Sequence, residues 1–138
     1  LLYVCRYNKL DKVKILIQKG ANVNETNYWG KTPLIYACTC YSGFEEIVEF
    51  LLLQPNIDID FQDTKIKATA LMWASSTNNL SIVRRLVHAG ADLDIRDPHG
   101  RTALDIARCN NRHAVVEFLS DITYPKFKDK IEDIHSIL

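Results

Sequence analysis

Three short patterns return in the same order along this chain, at intervals of 33 to 37 residues, and that recurrence constrains the fold more than any single motif. The first is a turn followed by threonine: Gly30-Lys31-Thr32-Pro33-Leu34, Thr69-Ala70-Leu71 and Gly100-Arg101-Thr102-Ala103-Leu104. The second is an apolar helix seam: Val13 and Ile15 to Ile17; Ile47, Val48, Leu51 and Leu52; Ile82, Val83, Leu86 and Val87; Val115, Val116 and Leu119. The third ends a helix and begins an extended segment: Gly20-Ala21-Asn22-Val23-Asn24, Asn56-Ile57-Asp58-Ile59-Asp60 and Gly90-Ala91-Asp92-Leu93-Asp94. Thr69 and Thr102 lie 33 residues apart, and Thr32 and Thr69 lie 37 apart. The excess in the longer interval falls between Thr32 and Gly43, before Asn56, and between Asp63 and Thr69. All three places are helix ends or turns, where a stack of repeats tolerates insertion.

Each marker has a physical role. Thr32, Thr69 and Thr102 are suited to cap a first helix with a side-chain oxygen, and Pro33 suits the first helical position. Gly20 and Gly90 fit a left-handed helix end, with Asn56 as the non-glycine substitute. Gly30 and Gly100 allow a tight turn at a finger tip. Ala37, Ala74 and Ala107 let paired helices approach closely, and Cys5 and Cys38 align with a small packed position of the repeat.

Thr32-Pro33-Leu34-Ile35-Tyr36-Ala37, Gly20-Ala21-Asn22-Val23-Asn24 and Asp97-Pro98-His99-Gly100-Arg101-Thr102 resemble the ankyrin repeat, whose period is about 33 residues. The resemblance implies an all-α repeat solenoid of ankyrin-like helix–turn–helix units, with β-hairpin fingers and a C-terminal capping helix. It covers residues 1–120 as about four repeats: a truncated 1–26, then 27–62, 63–96 and 97–120. Departures are visible. The histidine usual after Thr-Pro-Leu is replaced by Ile35, Met72 and Asp105, and the finger from Asp63 to Lys67 lacks glycine. The array reads as a piece of a longer one. Residues 121–138 leave the period, and Phe127, Ile131, Ile134 and Leu138 are spaced for one helix face. This segment either caps the last repeat or links to another domain.

The resemblance implies that a protein partner lies against the finger tips and first-helix surface. Register places Tyr28, Trp29, Lys31, Lys65, Lys67, His99 and Arg101 on the fingers, and Tyr7, Cys40, Thr77 and Asn110 on the first helices. Tyr28 and Trp29 stand where the fold needs no large ring, and such residues are frequent binding hot spots. The bland alternative is that Trp29 folds onto a neighbouring repeat. Tyr3, Tyr36, Trp73 and Ile106 share one register, for which packing between repeats is favoured over an exposed aromatic strip. Finger charge is mixed, with Lys31, Lys65, Lys67, Arg96 and Arg101 against Glu25, Asp63 and Asp97. That balance favours an acidic or mixed peptide.

Other functions find little support. Lys and Arg total 17 and so do Asp and Glu, which argues against nucleic acid or an anionic membrane as partner. No apolar run approaches the ~20 residues of a membrane span. Four irregularly spaced cysteines in a chain that is 47% hydrophobic suit free thiols in a reducing compartment, so a cytoplasmic location is expected, with nucleus or host-cell cytosol as alternatives. Asn24-Glu25-Thr26 and Asn79-Leu80-Ser81 are read as unmodified sequons. Cys38-Thr39-Cys40 lacks the second ligand pair of a zinc site, so no metal or cofactor is expected. Asp105, Cys109 and His113 invite a nucleophile–base reading, but a helix-to-helix turn separates the last two. The expected function is therefore a non-enzymatic scaffold or adaptor module. The alternatives are a targeting or regulatory segment of a larger enzyme or pathogen effector, and self-association through open solenoid ends. As a piece of a longer chain it is expected to be monomeric.

Overall fold

The structure, a computed structural model, describes residues 1–40 and 43–125. These form eight helices: α1 (Leu2–Arg6), α2 (Leu10–Gln18), α3 (Pro33–Cys38), α4 (Glu45–Leu52), α5 (Ala70–Ser76), α6 (Leu80–His88), α7 (Ala103–Cys109) and α8 (His113–Thr123). Consecutive helices pack as pairs. The short first helices α1, α3, α5 and α7 stack into one layer, and α2, α4, α6 and α8 stack into a second. The chain is thus an all-α solenoid two helices thick, as its period implies.

The apolar seams meet between the layers. Val13, Ile47, Val48, Leu51, Ile82, Val83, Leu86, Val115 and Leu119 are buried beneath Leu34, Ile35, Leu71 and Met72 of the first layer. Burying one such side chain contributes about 2 kcal/mol, so stacking rather than helix propensity holds these short helices together. Ile15 leaves the expected seam and is exposed, because it shares the outward register of Phe50, Arg85 and Phe118. Ala37, Ala74 and Ala107 are fully buried between helices, as are Cys5 and Cys38. Burial pushes the Cys5 thiol up to about 11 and raises that of Cys38 as well, so both stay protonated and inert.

Local chemistry sets the helix limits. The N–H groups of Ile35, Met72 and Asp105 donate to Thr32, Thr69 and Thr102 Oγ1 at 3.2, 3.2 and 3.3 Å. In α7 the Asp105 carboxylate also accepts from the Thr102 N–H at 3.0 Å, closing a capping box. The chain turns between paired helices at Asn8, Gly43, Asn78 and Asn111, all left-handed. Positions 41 and 42, beside the inserted residues of one such turn, lie outside the described residues.

Gly20 and Gly90 end α2 and α6 with φ of 93° and 94°. Asn56 does not play that part, and its φ is not positive. Pro55 and the inserted residue let the chain leave α4 through a turn closed by Ile57 N–H to Gln54 C=O at 3.2 Å. The Asn56 carbonyl instead accepts from Asn24 Nδ2 at 2.6 Å. The fingers differ from expectation too, since no strand occurs among the described residues. Each finger is a tight turn closed by a pair of backbone bonds: Asn27 donates to Lys31 and accepts from Gly30, Asp63 donates to Ala68 and accepts from Lys67, and Asp97 donates to Arg101 and accepts from Gly100. With so few residues beyond the turn, no ladder can extend.

Polar bonds tie successive repeats. Asp58 N–H donates to Asn24 Oδ1 and Asp92 N–H to Asp60 Oδ1, both at 2.9 Å. Gln62 Nε2 reaches Arg96 C=O at 3.2 Å, and Arg112 Nε reaches Ser76 C=O at 2.9 Å. α8 continues to Thr123, past the 120/121 boundary suggested by the period. The expected helix face of Phe127, Ile131, Ile134 and Leu138 lies outside the described residues.

Candidate partner-binding groove

Each finger is organised by one carboxylate or amide at its base. Asn27 Oδ1 accepts from the N–H groups of Trp29 and Lys31, both at 3.0 Å. Asp63 Oδ1 accepts from Ile66 N–H at 2.9 Å, and Asp97 Oδ1 accepts from His99 and Arg101 N–H at 2.9 Å. Two of these residues also reach into the next helix. Asn27 Nδ2 donates to the Tyr36 hydroxyl at 2.6 Å, and Trp73 Nε1 donates to Asp63 Oδ2 at 2.9 Å. The finger and the first helix of a repeat are thereby locked together by a polar bond at the tip of an aromatic ring.

Asp63 and Asp97 therefore do not contribute exposed charge, contrary to the sequence-based balance. They are 1% and 8% exposed. Burial pushes the Asp97 carboxyl up, but the Arg101 and His99 N–H groups and the Arg101 guanidinium, whose Nε and Nη2 both lie 2.8 Å from Oδ2, hold it below the usual range. Arg101 is committed to this pair. Lys31 and Lys65 have no carboxylate partner among the described residues. The Lys31 ammonium stands 4.3 Å from the centroid of Trp73 and 5.7 Å from that of Tyr36. Both distances suit cation–π attraction.

Between fingers and first helices run two adjoining hollows of about 350 and 410 Å³ that share Lys65, Ile66 and Trp73. The smaller one is walled by Trp29, Lys31 and Tyr36, and the larger by Met72, Pro98, His99, Arg101, Ile106 and Asn110. Of the residues expected at a partner site, Trp29, Lys31, Lys65, His99, Arg101 and Asn110 are brought together here. The remainder lie apart. Tyr28 is 93% exposed at the finger tip, with its ring edge-on to Trp29 at 6.0 Å. Tyr7 packs against Tyr3 at 4.8 Å on α1. Lys67 is exposed, Cys40 is half-buried, and the Thr77 hydroxyl donates to the Ala74 carbonyl.

The Trp29 side chain is 46% exposed, and its backbone carbonyl accepts from Thr64 N–H of the neighbouring finger at 3.3 Å. Tyr36 and Trp73 likewise combine packing with a ring face in the groove, whereas Ile106 is buried and Tyr3 is exposed. Ile66 and Asn27 carried no functional weight in the sequence, and Asp63 and Asp97 counted only as surface charge rather than as finger organisers. Their signal was present, since the three organisers recur at intervals of 36 and 34 residues.

Among the described residues no hydrogen bond or ion pair joins Asp105, Cys109 and His113. Hydrogen bonds from Thr102 hold the Asp105 carboxyl below the usual range, and it serves as a helix cap. Cys109 ends α7, and His113 starts α8 beyond the turn at Asn111. Among the described residues no three His, Cys, Asp or Glu side chains gather as a metal site, and no helix is long and apolar enough to cross a membrane.

A sequence profile described as ankyrin repeats in 3 copies matches residues 1–63 and 39–129. The chain belongs to the ankyrin-repeat family. Ankyrin repeats are in general protein–protein interaction modules. The chain is similar to alpha-latrotoxin-Lg1a of Latrodectus geometricus, 38% identical over 81% of the chain and 8% of the toxin. It is similar to a putative ankyrin repeat protein of Rickettsia bellii (strain RML369-C), 31% identical over 83% of the chain and 62% of that protein. A third relative is ankyrin repeat and SAM domain-containing protein 6 of Mus musculus, 31% identical over 98% of the chain and 15% of that protein. The ankyrin array thus spans less than two thirds of each of these relatives.

Proposed function

We propose that this array is a scaffold or adaptor segment that holds a partner protein on its concave face, in the groove between fingers and first helices. One observation carries the proposal: Trp29, Tyr36, Trp73 and Ile66 present apolar surface in a continuous groove although each belongs to a well-packed repeat. Such surface, rimmed by polar side chains, is what a partner desolvates. Free cysteines, two of them buried, support a reducing, cytoplasmic setting. The test is affinity capture from lysate with wild type beside Tyr28→Ala/Trp29→Ala, both checked by circular dichroism. A partner held by wild type and lost by the variant supports the concave site. A partner retained by both moves the site elsewhere.

A second reading is a targeting or regulatory segment of a larger protein. It is favoured by the small share, 8% and 15%, that the matched region forms of two relatives. Fusing the array to a reporter and mapping its location, with and without the groove substitutions, separates this role from scaffolding.

A further inference from the structure

We infer that the groove takes an extended, acidic segment of a partner protein bearing an aliphatic side chain, with its carboxylates on Lys31 and Lys65 and its apolar residue against Ile66 and Trp73. This rests on the concave-face function proposed above and adds the chemistry of the occupant.

The charge distribution carries it. The groove contains carboxylates and cations in similar number, but the two kinds are spent differently. Asp63 is consumed by the Ile66 and Ala68 N–H groups and by the Trp73 indole, the last at 2.9 Å. Asp97 is consumed by Arg101 and by two backbone N–H groups. Both are buried, so neither offers its charge to a ligand. Asp97 is offset by Arg101, and Lys31 and Lys65 outnumber Asp63, which leaves the groove net positive although the chain as a whole is neutral.

Lys31 is also ordered in advance. Its ammonium rests on the faces of Trp73 and Tyr36, and those rings are fixed by hydrogen bonds to Asp63 and Asn27. A carboxylate meeting this cation forgoes much of the side-chain ordering that a free surface lysine demands. Beside the cations, Ile66 is 48% exposed where the two hollows meet, which gives an aliphatic side chain a contact between them. Acidic groups alone would leave this surface wet, and apolar groups alone would leave Lys31 and Lys65 unpaired.

The experiment uses the wild-type chain, whose two indoles, Trp29 and Trp73, both line the smaller hollow. Blocked peptides of equal length are titrated against its fluorescence: glutamate with leucine, glutamine with leucine, lysine with leucine, and glutamate with serine. The glutamate–leucine peptide is expected to perturb the indole fluorescence saturably and to bind about tenfold more tightly than the other three, with affinity falling as salt rises. Lys31→Gln/Lys65→Gln is expected to abolish that preference while retaining the far-ultraviolet spectrum. No saturable response to the glutamate–leucine peptide overturns the inference, and so does equal binding of the glutamine–leucine or lysine–leucine peptide. Sedimentation without peptide adds a further check: self-association abolished by the double lysine variant puts a second copy in the groove and also overturns it. A cellular partner that is lost with Trp29→Ala yet survives Lys31→Gln/Lys65→Gln refutes the acidic occupant while leaving the concave site standing.

Discussion

Gly30, Lys67 and Gly100 occupy one position in three successive fingers, with φ of 71°, 55° and 76°. The same backbone demand is met by glycine twice and by lysine once. A left-handed non-glycine residue costs roughly 1 kcal/mol, so Lys67→Gly is expected to raise stability by up to about that amount, read as a higher urea midpoint. The two glycines themselves differ. A Cβ on Gly30 would lie 2.6 Å from Thr64 side-chain atoms and 2.7 Å from its backbone nitrogen, whereas one on Gly100 meets nothing within 4 Å. Gly100→Ala should therefore cost only the conformational ~1 kcal/mol, and Gly30→Ala should cost at least about 2 kcal/mol. Equal midpoints for the two alanine variants would show that the fingers do not press together as described. Position 30 was legible as a turn residue. Its second duty, admitting the next finger, depends on a residue 34 positions away.

Among the elements, the third finger and α7 form the most charge-dependent unit. Asp97 organises the finger and Asp105 caps the helix, and both carboxyls titrate below the usual range in the folded protein. A carboxyl whose folded pKa lies below its unfolded value of about 3.9 adds stability that is fully present above that value. That stability is lost as pH falls through the folded pKa. Stability is thus expected to hold from neutral pH down to about 4 and then to decline with acid. Asp97→Asn should be about 1–2 kcal/mol less stable at pH 7, because Arg101 loses its partner, and should show a shallower decline below pH 4. Thermal melts of the two proteins across pH 2 to 7 check both points, and parallel profiles would exclude Asp97 as a contributor. The capping threonines were evident from spacing, because a cap acts within one turn. Burial of Asp63 and Asp97 was not, because the strand-like fingers they seemed to decorate are only turns, and those turns fold around the carboxylates.

At the scale of the whole molecule, the main helix contacts among the described residues run within a repeat or between successive repeats, so stability is a sum of repeats and of the interfaces between them. Asn24 is one such joint: it donates to the Asn56 carbonyl at 2.6 Å and accepts from Asp58 N–H at 2.9 Å. Asn24→Ala should lower stability by about 1 kcal/mol and broaden the urea transition, as α1 and α2 begin to unfold apart from the rest. Hydrogen exchange would localise the loss of protection to α1 and α2, and uniform loss along the chain would contradict this nearest-neighbour description.

The sequence by itself determined the repeat, the helix pairs, the threonine caps and the buried seam apart from Ile15, because these follow from period, side-chain shape and hydrogen bonds spanning a few residues. It also placed Trp29, Lys31, Lys65, His99, Arg101 and Asn110 on one face, since register alone assigns faces in a regular stack. Only the tertiary structure decided which charges that face presents. Whether a carboxylate meets solvent or an indole N–H depends on groups ten residues away, as with Asp63 and Trp73. Whether a lysine roams in water or rests on rings depends on the next repeat, as with Lys31 and Trp73. Those distances are set by stacking, which no local pattern encodes.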